Sequence, residues 1–152
     1  MKENFEVKEY YTLSDIAQFS GLSDRTLRNY LAKNILEGTK IDWVWHFSPE
    51  QVENFIKNSA VRPSILAKNN AILYDFLLDR NKGKDECVIV LDIADCEKLK
   101  TIEYFCSEIN NGSYTGMRFS FDAPFKKDAR IILKGAPLSI LQVLNGYYNK
   151  IL

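Results

Sequence analysis

The stretch YTLSDIAQFSGLSDRTLRNYL, residues 11–31, decides the fold of the first part of this chain. It predicts two short helices that are joined by a tight turn at Gly21. Thr12 can cap the first helix, with Asp15 three residues later as the other half of a capping box, and Ser23 can cap the second helix. Both helix starts are therefore encoded by local residues.

This arrangement is that of a helix-turn-helix, which points to duplex DNA. In such a motif the first residues of the second helix reach the base edges of the major groove. Those residues here are Asp24, Arg25, Arg28 and Asn29, and all four are of types that read base edges. We therefore expect the second helix to be a reading helix.

The sequence after the second helix extends this pattern. The segments concerned are RTLRNY at 25–30, IL at 35–36, KI at 40–41, WHFS at 45–48, and a closing helix with Val52 and Phe55. Over residues 10–57, roughly a third of the chain, the sequence resembles the winged helix-turn-helix of the MerR and excisionase-like superfamily.

The resemblance implies a role for each part of this segment. In that family the second helix enters the major groove, a hairpin wing lies against the phosphate backbone, and the closing helix completes the core. It makes Tyr30 a core or phosphate-contacting aromatic and Lys40 a wing contact. The predicted DNA-binding residues are Ser23, Asp24, Arg25, Thr26, Arg28, Asn29, Lys33, Lys40, Trp43 and His46.

Three positions depart from the family pattern and carry predictions of their own. Asn34 replaces a glycine, and because Asn tolerates left-handed backbone geometry we expect it to end the second helix. The wing turns near Asp42-Trp43, where a positive φ disfavours Trp, so we expect a longer or more open tip. His46 stands where an Arg is common, and a neutral imidazole weakens a phosphate contact.

The aromatic residues of the wing have different expected roles. Trp45 and Phe47 are expected in the core. Trp43, at the tip, has no core to fill and is expected to touch DNA, a partner or the second domain.

Composition narrows the class of protein. The chain has 152 residues, of which 46% are hydrophobic, as in ordinary globular proteins. No apolar run reaches the roughly 18 to 20 residues of a membrane helix, and residues 1–6 (MKENFE) are too charged for a signal peptide, so we expect a cytoplasmic protein without a membrane partner. Cys87, Cys96 and Cys106 are odd in number and lack CxxC spacing, which favours buried free thiols over disulfides or zinc.

Charge limits how strongly one copy can bind DNA. The formal charge is −1 for residues 1–62 and +1 for residues 63–152, so neither part is strongly basic. Only about four cations lie on the proposed contact surface of one copy, and affinity scales with the number of phosphate contacts. We therefore expect a homodimer that reads two half-sites.

A helix after the first domain provides a candidate dimer seam. Pro63 biases Arg62 away from helical geometry, which ends the first domain, and Ser64 can cap the next helix. From Ile65 to about Arg80 apolar residues recur at helical spacing, and some of them repeat seven residues apart. The helix is interpreted either as a dimerising coiled coil, as in MerR-like regulators, or as a cover for the second domain's sheet.

The remaining sequence predicts a small α+β domain. Residues 87–93 form a continuous apolar run, as expected for a buried strand beside a parallel one. Further elements are predicted as a helix at 95–111, strands at 114–121 and 129–134, and a last helix opened by Pro137. The order helix, strand, helix, strand, strand, helix suggests a ferredoxin-like half with strand 87–93 beside strand 129–134. The open sheet edges are a second candidate dimer seam.

The predicted fold class is thus α+β in two domains. Residues 1–62 form the winged helix-turn-helix, and residues 63–152 form an α+β dimerisation or effector domain. The preferred function is a dimeric, sequence-specific, MerR-like transcriptional regulator. The alternatives are an excisionase-like architectural DNA-binding protein that acts with a recombinase or other protein, and a small-ligand module in the second domain. The aromatics of that module would be Tyr104, Phe119, Phe121 and Tyr147.

Catalysis, cofactors and metals are not predicted. His46 is the only histidine, so a metal site with several histidine ligands cannot be built. Asp92, Asp95 and Glu97 near the end of a strand are better explained by capping and solvation than by a metal. No Gly-rich phosphate loop follows a strand.

Overall fold

The computed structural model describes residues 8–80, 82–112, 114, 116–124 and 128–151. The chain is a mixed α+β protein with two small sheets, which confirms the predicted class. Its first elements are α1 (Leu13–Ser20), α2 (Asp24–Ala32), β1 (Thr39–Ile41), β2 (Val44–His46) and α3 (Pro49–Lys57). The later ones are α4 (Arg62–Leu78), β3 (Cys87–Ile93), α5 (Lys98–Asn111), β4 (Arg118–Asp122), β5 (Ala129–Gly135) and α6 (Pro137–Lys150).

Some sequence predictions concern residues that are not described. The signal-peptide argument rests on residues 1–6, which lie outside the described residues. The predicted domains 1–62 and 63–152 and the predicted strand at 114–121 each lie partly outside them.

The predicted caps of α1 and α2 are confirmed. The Asp15 N–H donates to Thr12 Oγ1 (3.2 Å) and the Thr12 N–H donates to Asp15 Oδ2 (2.9 Å), which is the predicted capping box. Gly21 ends α1 with φ 73°, and Ser23 Oγ accepts the N–H of Thr26 (3.1 Å) at the start of α2. The direction of α2 relative to α1 is therefore set by residues 12–26.

Asn34 ends α2 as predicted. Its φ is 57°, in the left-handed region. The Ile35 N–H donates to the Tyr30 carbonyl (2.9 Å) and the Asn34 N–H to the Leu31 carbonyl (3.1 Å). This pair of bonds is a Schellman motif, which satisfies the last carbonyls of the helix.

The start of α4 differs from the prediction. The helix begins at Arg62, with Pro63 in its first turn, and Val61 precedes it without a side-chain cap. Pro is tolerated there because the N–H groups of a first helical turn have no partner within the helix. Ser64 is therefore not a cap, and its hydroxyl instead lies 3.0 Å from the Tyr30 hydroxyl.

The larger sheet has the strand order β3-β5-β4, and both pairs are antiparallel. The predicted neighbourhood of strands 87–93 and 129–134 is confirmed, but the expectation of a parallel neighbour for β3 is wrong. β5 follows β4 in the chain and pairs with both β4 and β3, so it lies between them. The apolar run of β3 belongs to an edge strand, of which Val90 is 48% exposed.

The hydrophobic core runs continuously from α1 to α6. The Phe19 ring of α1 meets the Phe121 ring of β4 edge to face, with centroids 6.4 Å apart. On the other face of β4, Ser120 donates a hydrogen bond to Asn69 of α4. The predicted boundary at 62/63 thus falls within a shared core, and the division into two domains stays a prediction.

Candidate nucleic-acid interface

One side of α2 is buried and the opposite side is open. Leu27 is fully buried against α1, whereas Asp24, Arg25, Arg28 and Asn29 are exposed. Asp24 and Arg28, and likewise Arg25 and Asn29, are four positions apart, so the four side chains form two adjacent rows on the open side. α2 therefore presents all four predicted reading side chains together.

The two arginines of α2 are in different electrostatic states. Arg28 Nε donates to Asp24 Oδ2 at 2.6 Å, an exposed i, i+4 ion pair. Arg25 has no ion-pair or hydrogen-bond partner among the described residues. Arg25 can therefore bind a ligand without breaking an existing contact. Arg28 can do so only if its guanidinium also keeps Asp24 as a partner or releases it.

Three further predicted contacts lie at the ends of α2: Ser23 and Thr26 form its N-terminal cap, and Lys33 follows its last turn. The Ser23 hydroxyl donates to Thr26 Oγ1 (2.9 Å) while it accepts the Thr26 N–H, so both side chains serve the cap. Lys33 is exposed at the end of α2.

The hairpin turn is tighter than predicted. Asp42 and Trp43 are the two turn residues between β1 and β2, with φ values of 49° and 67°. Two consecutive left-handed residues form the type I′ turn that suits the twist of a hairpin. Because a side chain clashes with the backbone there, each such residue costs roughly 1–2 kcal/mol relative to the right-handed region. The expectation of an open tip is therefore wrong, and the turn holds strain at Trp43.

The Trp43 side chain is almost completely exposed, at 90%. The Lys40 ammonium lies 5.6 Å from the centroid of the Trp43 ring and 5.7 Å from that of Trp45. These distances allow a cation–π interaction with both indoles. Lys40 is exposed and remains accessible to an anion.

The other aromatic residues near the hairpin pack inward. Phe47 is fully buried in the core, as predicted. Trp45 is only partly buried and packs against the core, with its ring centroid 6.3 Å from that of Phe47. The His46 ring stacks on Tyr10 at 4.1 Å, which explains its half-buried position. Tyr30 packs against Phe55, and its hydroxyl is engaged with α4, which favours the core interpretation.

A concave surface connects α2 to the hairpin and to the start of α1. Its lining comprises Thr12, Leu13, Ser14, Arg28, Lys40, Trp43, Val44 and Trp45. Backbone N–H groups of a first helical turn favour anions, so Leu13 and Ser14 add to the cations here. The sequence did not single out Ser14, Ile41 or Val44. The period-two alternation of the hairpin was the available signal for the last two.

The aromatics of the predicted ligand module fill the core. Tyr104, Phe121 and Tyr147 are buried, and Phe105 lies between them and Phe119. The Tyr104 hydroxyl donates to the Val143 carbonyl (2.8 Å). Their geometry is that of packed rings rather than of pocket walls.

The carboxylates after β3 have structural partners. Asp92 forms two hydrogen bonds with Arg130 across the β3–β5 pair (2.7 and 2.9 Å), and these bonds lower the pKa of Asp92. Glu97 lies 3.2 Å from Lys100. No group of three metal-ligating side chains is found in the described part of the chain.

The three cysteines are free, as predicted, but only half-buried. Burial raises the pKa of the Cys106 thiol to about 12. None of the described helices has the length and apolar character that crossing a membrane requires.

Comparison of the chain with models of protein families, with curated proteins and with solved structures found no match.

Proposed function

We propose that this protein binds duplex DNA sequence-specifically through a winged helix-turn-helix of the MerR and excisionase-like type. α2 enters the major groove and the β1–β2 hairpin is the wing. The second part of the chain consists of α4 and a ferredoxin-like half. It supports the winged domain and joins two copies into a dimer. The observation that carries the proposal is the open face of α2, where Arg25 has no carboxylate partner among the described residues and lies with Asn29. Arg pairs bidentately with guanine and Asn with adenine.

The small number of unpaired cations on this surface is consistent with a sequence-specific DNA-binding protein rather than a non-specific one. Arg25, Lys33 and Lys40 lack a carboxylate partner among the described residues, whereas Arg28 is neutralised by Asp24. A dimer then offers about six such cations, which corresponds to a slope near −5 in a plot of log K against log salt. Most of the discrimination must then come from base contacts.

We propose that α4 forms the dimer seam. Its buried side consists of Ile65, Asn69 and Ile72. Apolar residues also cover its outer side, namely Leu66, Tyr74, Leu77 and Leu78, all exposed. Large apolar residues that are exposed close together mark a surface that another protein covers. This observation favours α4 over the open edge of β3.

The spacing along α4 favours a coiled-coil pairing. Leu66, Asn70, Leu73 and Leu77 are separated by four, three and four residues, which is the spacing of core positions in a heptad. In a parallel pair Asn70 would meet its own copy and satisfy its amide, whereas in an antiparallel pair it would face Leu73. A parallel pair also brings both reading helices to the same end.

In vitro selection tests the function. Purified protein is used to enrich duplexes from a random library, and the selection is repeated with the double variant Arg25→Ala, Arg28→Ala. We expect an inverted repeat with half-sites about one helical turn apart, which the double variant does not enrich. Lys84→Ala, which removes an exposed cation remote from α2, should enrich the same sequence.

Binding to the selected duplex separates the two arginines. Arg25→Ala should cost roughly 1–3 kcal/mol and relax specificity at one base pair. Arg28→Ala leaves Asp24 unpaired beside phosphate, so the added change Asp24→Asn should restore part of the affinity. Unchanged binding by both arginine variants would contradict the reading helix.

An architectural role is the second candidate, and the apolar tip of the hairpin favours it. Such a protein bends DNA and acts with a recombinase or other protein. It would bend the duplex strongly while discriminating weakly among sequences, which the same selection measures.

A further inference from the structure

The tip of the β1–β2 hairpin differs chemically from a surface that binds phosphate. Ile41 and Val44 form the last pair before the turn and are 47% and 48% exposed, next to the still more exposed Trp43. The one charge of the turn is the Asp42 carboxylate, which phosphates repel. Phosphate contacts need cations or N–H and O–H donors, and this tip offers mainly hydrocarbon.

The backbone of the turn directs the indole of Trp43 into solvent, where it is almost completely exposed. The left-handed backbone fixes the direction in which the side chain leaves the turn. The Lys40 ammonium lies 5.6 Å from the centroid of the exposed ring. An indole has only two rotatable side-chain bonds, so it loses little conformational freedom when it inserts into a partner.

We propose that Trp43 is a wedge that enters the minor groove and inserts between two base pairs. Apolar side chains used in this way unstack a base step and kink the duplex toward the major groove. The inference rests on the proposed DNA-binding function and adds a mode of contact to it. A single indole is a flat ring that a minor groove about 6 Å wide can admit, and a kink at the base step widens the groove further.

The positions along the hairpin agree with this path. Lys40 lies one residue before Ile41 and lines the same concave surface as Arg28 and Trp43. With α2 in the major groove, Lys40 lies at the intervening phosphate backbone and the tip reaches beyond it.

Fluorescence tests the insertion directly, because the two tryptophans of the chain, Trp43 and Trp45, both lie in the hairpin. Trp45→Phe leaves Trp43 as the reporter, and Trp43→Phe leaves Trp45. With a saturating amount of the selected duplex, or of random-sequence duplex at low salt, stacking should quench Trp43 and reduce its quenching by iodide several-fold. Trp45, which is partly buried and packed on Phe47, should be quenched less and gain less protection from iodide than Trp43.

Bending of an end-labelled duplex, measured by energy transfer, provides the second readout. Trp43→Ala should abolish most of the bend and weaken binding about tenfold. Leu138→Ala is the matched control, because Leu138 is equally exposed but lies on α6. It should change neither quantity, and circular dichroism verifies that each variant is folded.

The outcomes distinguish this proposal from the function on which it rests. If Trp43→Ala bends and binds DNA like the wild type while Arg25→Ala binds weakly, the wedge is wrong and DNA reading stands. If iodide reaches Trp43 equally with and without DNA, the tip faces a protein instead and the wedge is also wrong. If the wild type binds no duplex even at low salt, both proposals fail.

Discussion

The helices of the first half are stabilised by side-chain caps at their N-termini, whereas those of the second half are stabilised by packing along one face. α1, α2 and α3 each begin with a Ser or Thr whose side chain accepts a backbone N–H. The N-cap residues of α4, α5 and α6 are Val61, Glu97 and Ala136, and none of them provides a side-chain cap. Both halves belong to one core, so the difference is one of local stabilisation.

Helix length explains the contrast. α1 to α3 have 8 or 9 residues, and α4 to α6 have 14 to 17. A short helix has unsatisfied groups over most of its length and is marginal in water, so each cap matters. A long helix gains enough from the burial of one face. With only nine residues, α2 therefore keeps its direction largely through its caps.

The largest effect is expected from the aromatic core of the second half. The Phe105 ring is fully buried, with centroids 5.4 Å from Phe119 and 5.2 Å from Tyr147. Phe105→Ala removes these contacts and leaves a cavity, which should lower the free energy of unfolding by about 3–5 kcal/mol. Urea unfolding followed by circular dichroism measures the loss.

The same experiment tests whether the halves unfold together. Because both tryptophans lie in the hairpin, their fluorescence reports on the first half. If the core is cooperative, Phe105→Ala shifts the fluorescence and circular dichroism transitions equally. A fluorescence transition that stays in place would mean that the first half folds on its own.

Removing a cap from the first half and adding one to the second half should change the free energy of unfolding in opposite directions. Both changes should be of intermediate size. Thr12→Ala removes the capping box of α1 and should cost about 1 kcal/mol. Ala136→Ser adds a cap to α6, since Ala136 has extended geometry and Pro137 follows it. It should gain up to about 1 kcal/mol, because the Ser hydroxyl can accept the N–H of Ser139 in the first turn.

Thermal unfolding of both variants and of their combination measures the exchange. Thr12→Ala should also weaken DNA binding more than Ala136→Ser changes it, since α1 supports α2. Equal and small effects at both sites would contradict the view that caps matter chiefly in the short helices.

The sequence predicts the first half well because its signals are local. The caps at Thr12 and Ser23 and the left-handed stop at Asn34 each depend on residues within three or four positions. The turn at Trp43 was predicted wrongly, since intrinsic preference opposes the observed φ and the register of the hairpin overrides it. Helical periodicity correctly predicted that one side of α2, with Asp24, Arg25, Arg28 and Asn29, is exposed.

The features that the sequence could not predict depend on partners distant in the chain or on rotamers. β3 pairs antiparallel with β5, although some 36 residues separate the strands and their composition is the same in either orientation. The start of α4 is fixed by packing, including the bond between Ser64 and Tyr30. The pairing of Arg28 with Asp24 depends on rotamers that spacing alone does not fix.

The smallest effect is expected where the two halves meet. Glu103 of α5 is buried, and its Oε1 accepts the N–H of Lys8 (2.8 Å), while Tyr11, Asp15 and Cys106 face the same small cavity. Burial raises the pKa of the Glu103 carboxyl, and the Lys8 N–H and Tyr11 hydroxyl oppose that shift. The ionised form is therefore less favourable in the folded chain than in the unfolded one.

Linkage fixes the sign of the pH dependence. A raised folded pKa gives stability that is fully present below the unfolded pKa of a glutamate and is lost as pH rises through the folded value. Glu103→Gln resembles the protonated form and keeps an acceptor for Lys8. At neutral pH it should raise the free energy of unfolding by less than about 1 kcal/mol, and this gain should vanish in acid. Urea unfolding across that pH range measures it, and a variant less stable than the wild type at neutral pH would show that the carboxylate stabilises the junction.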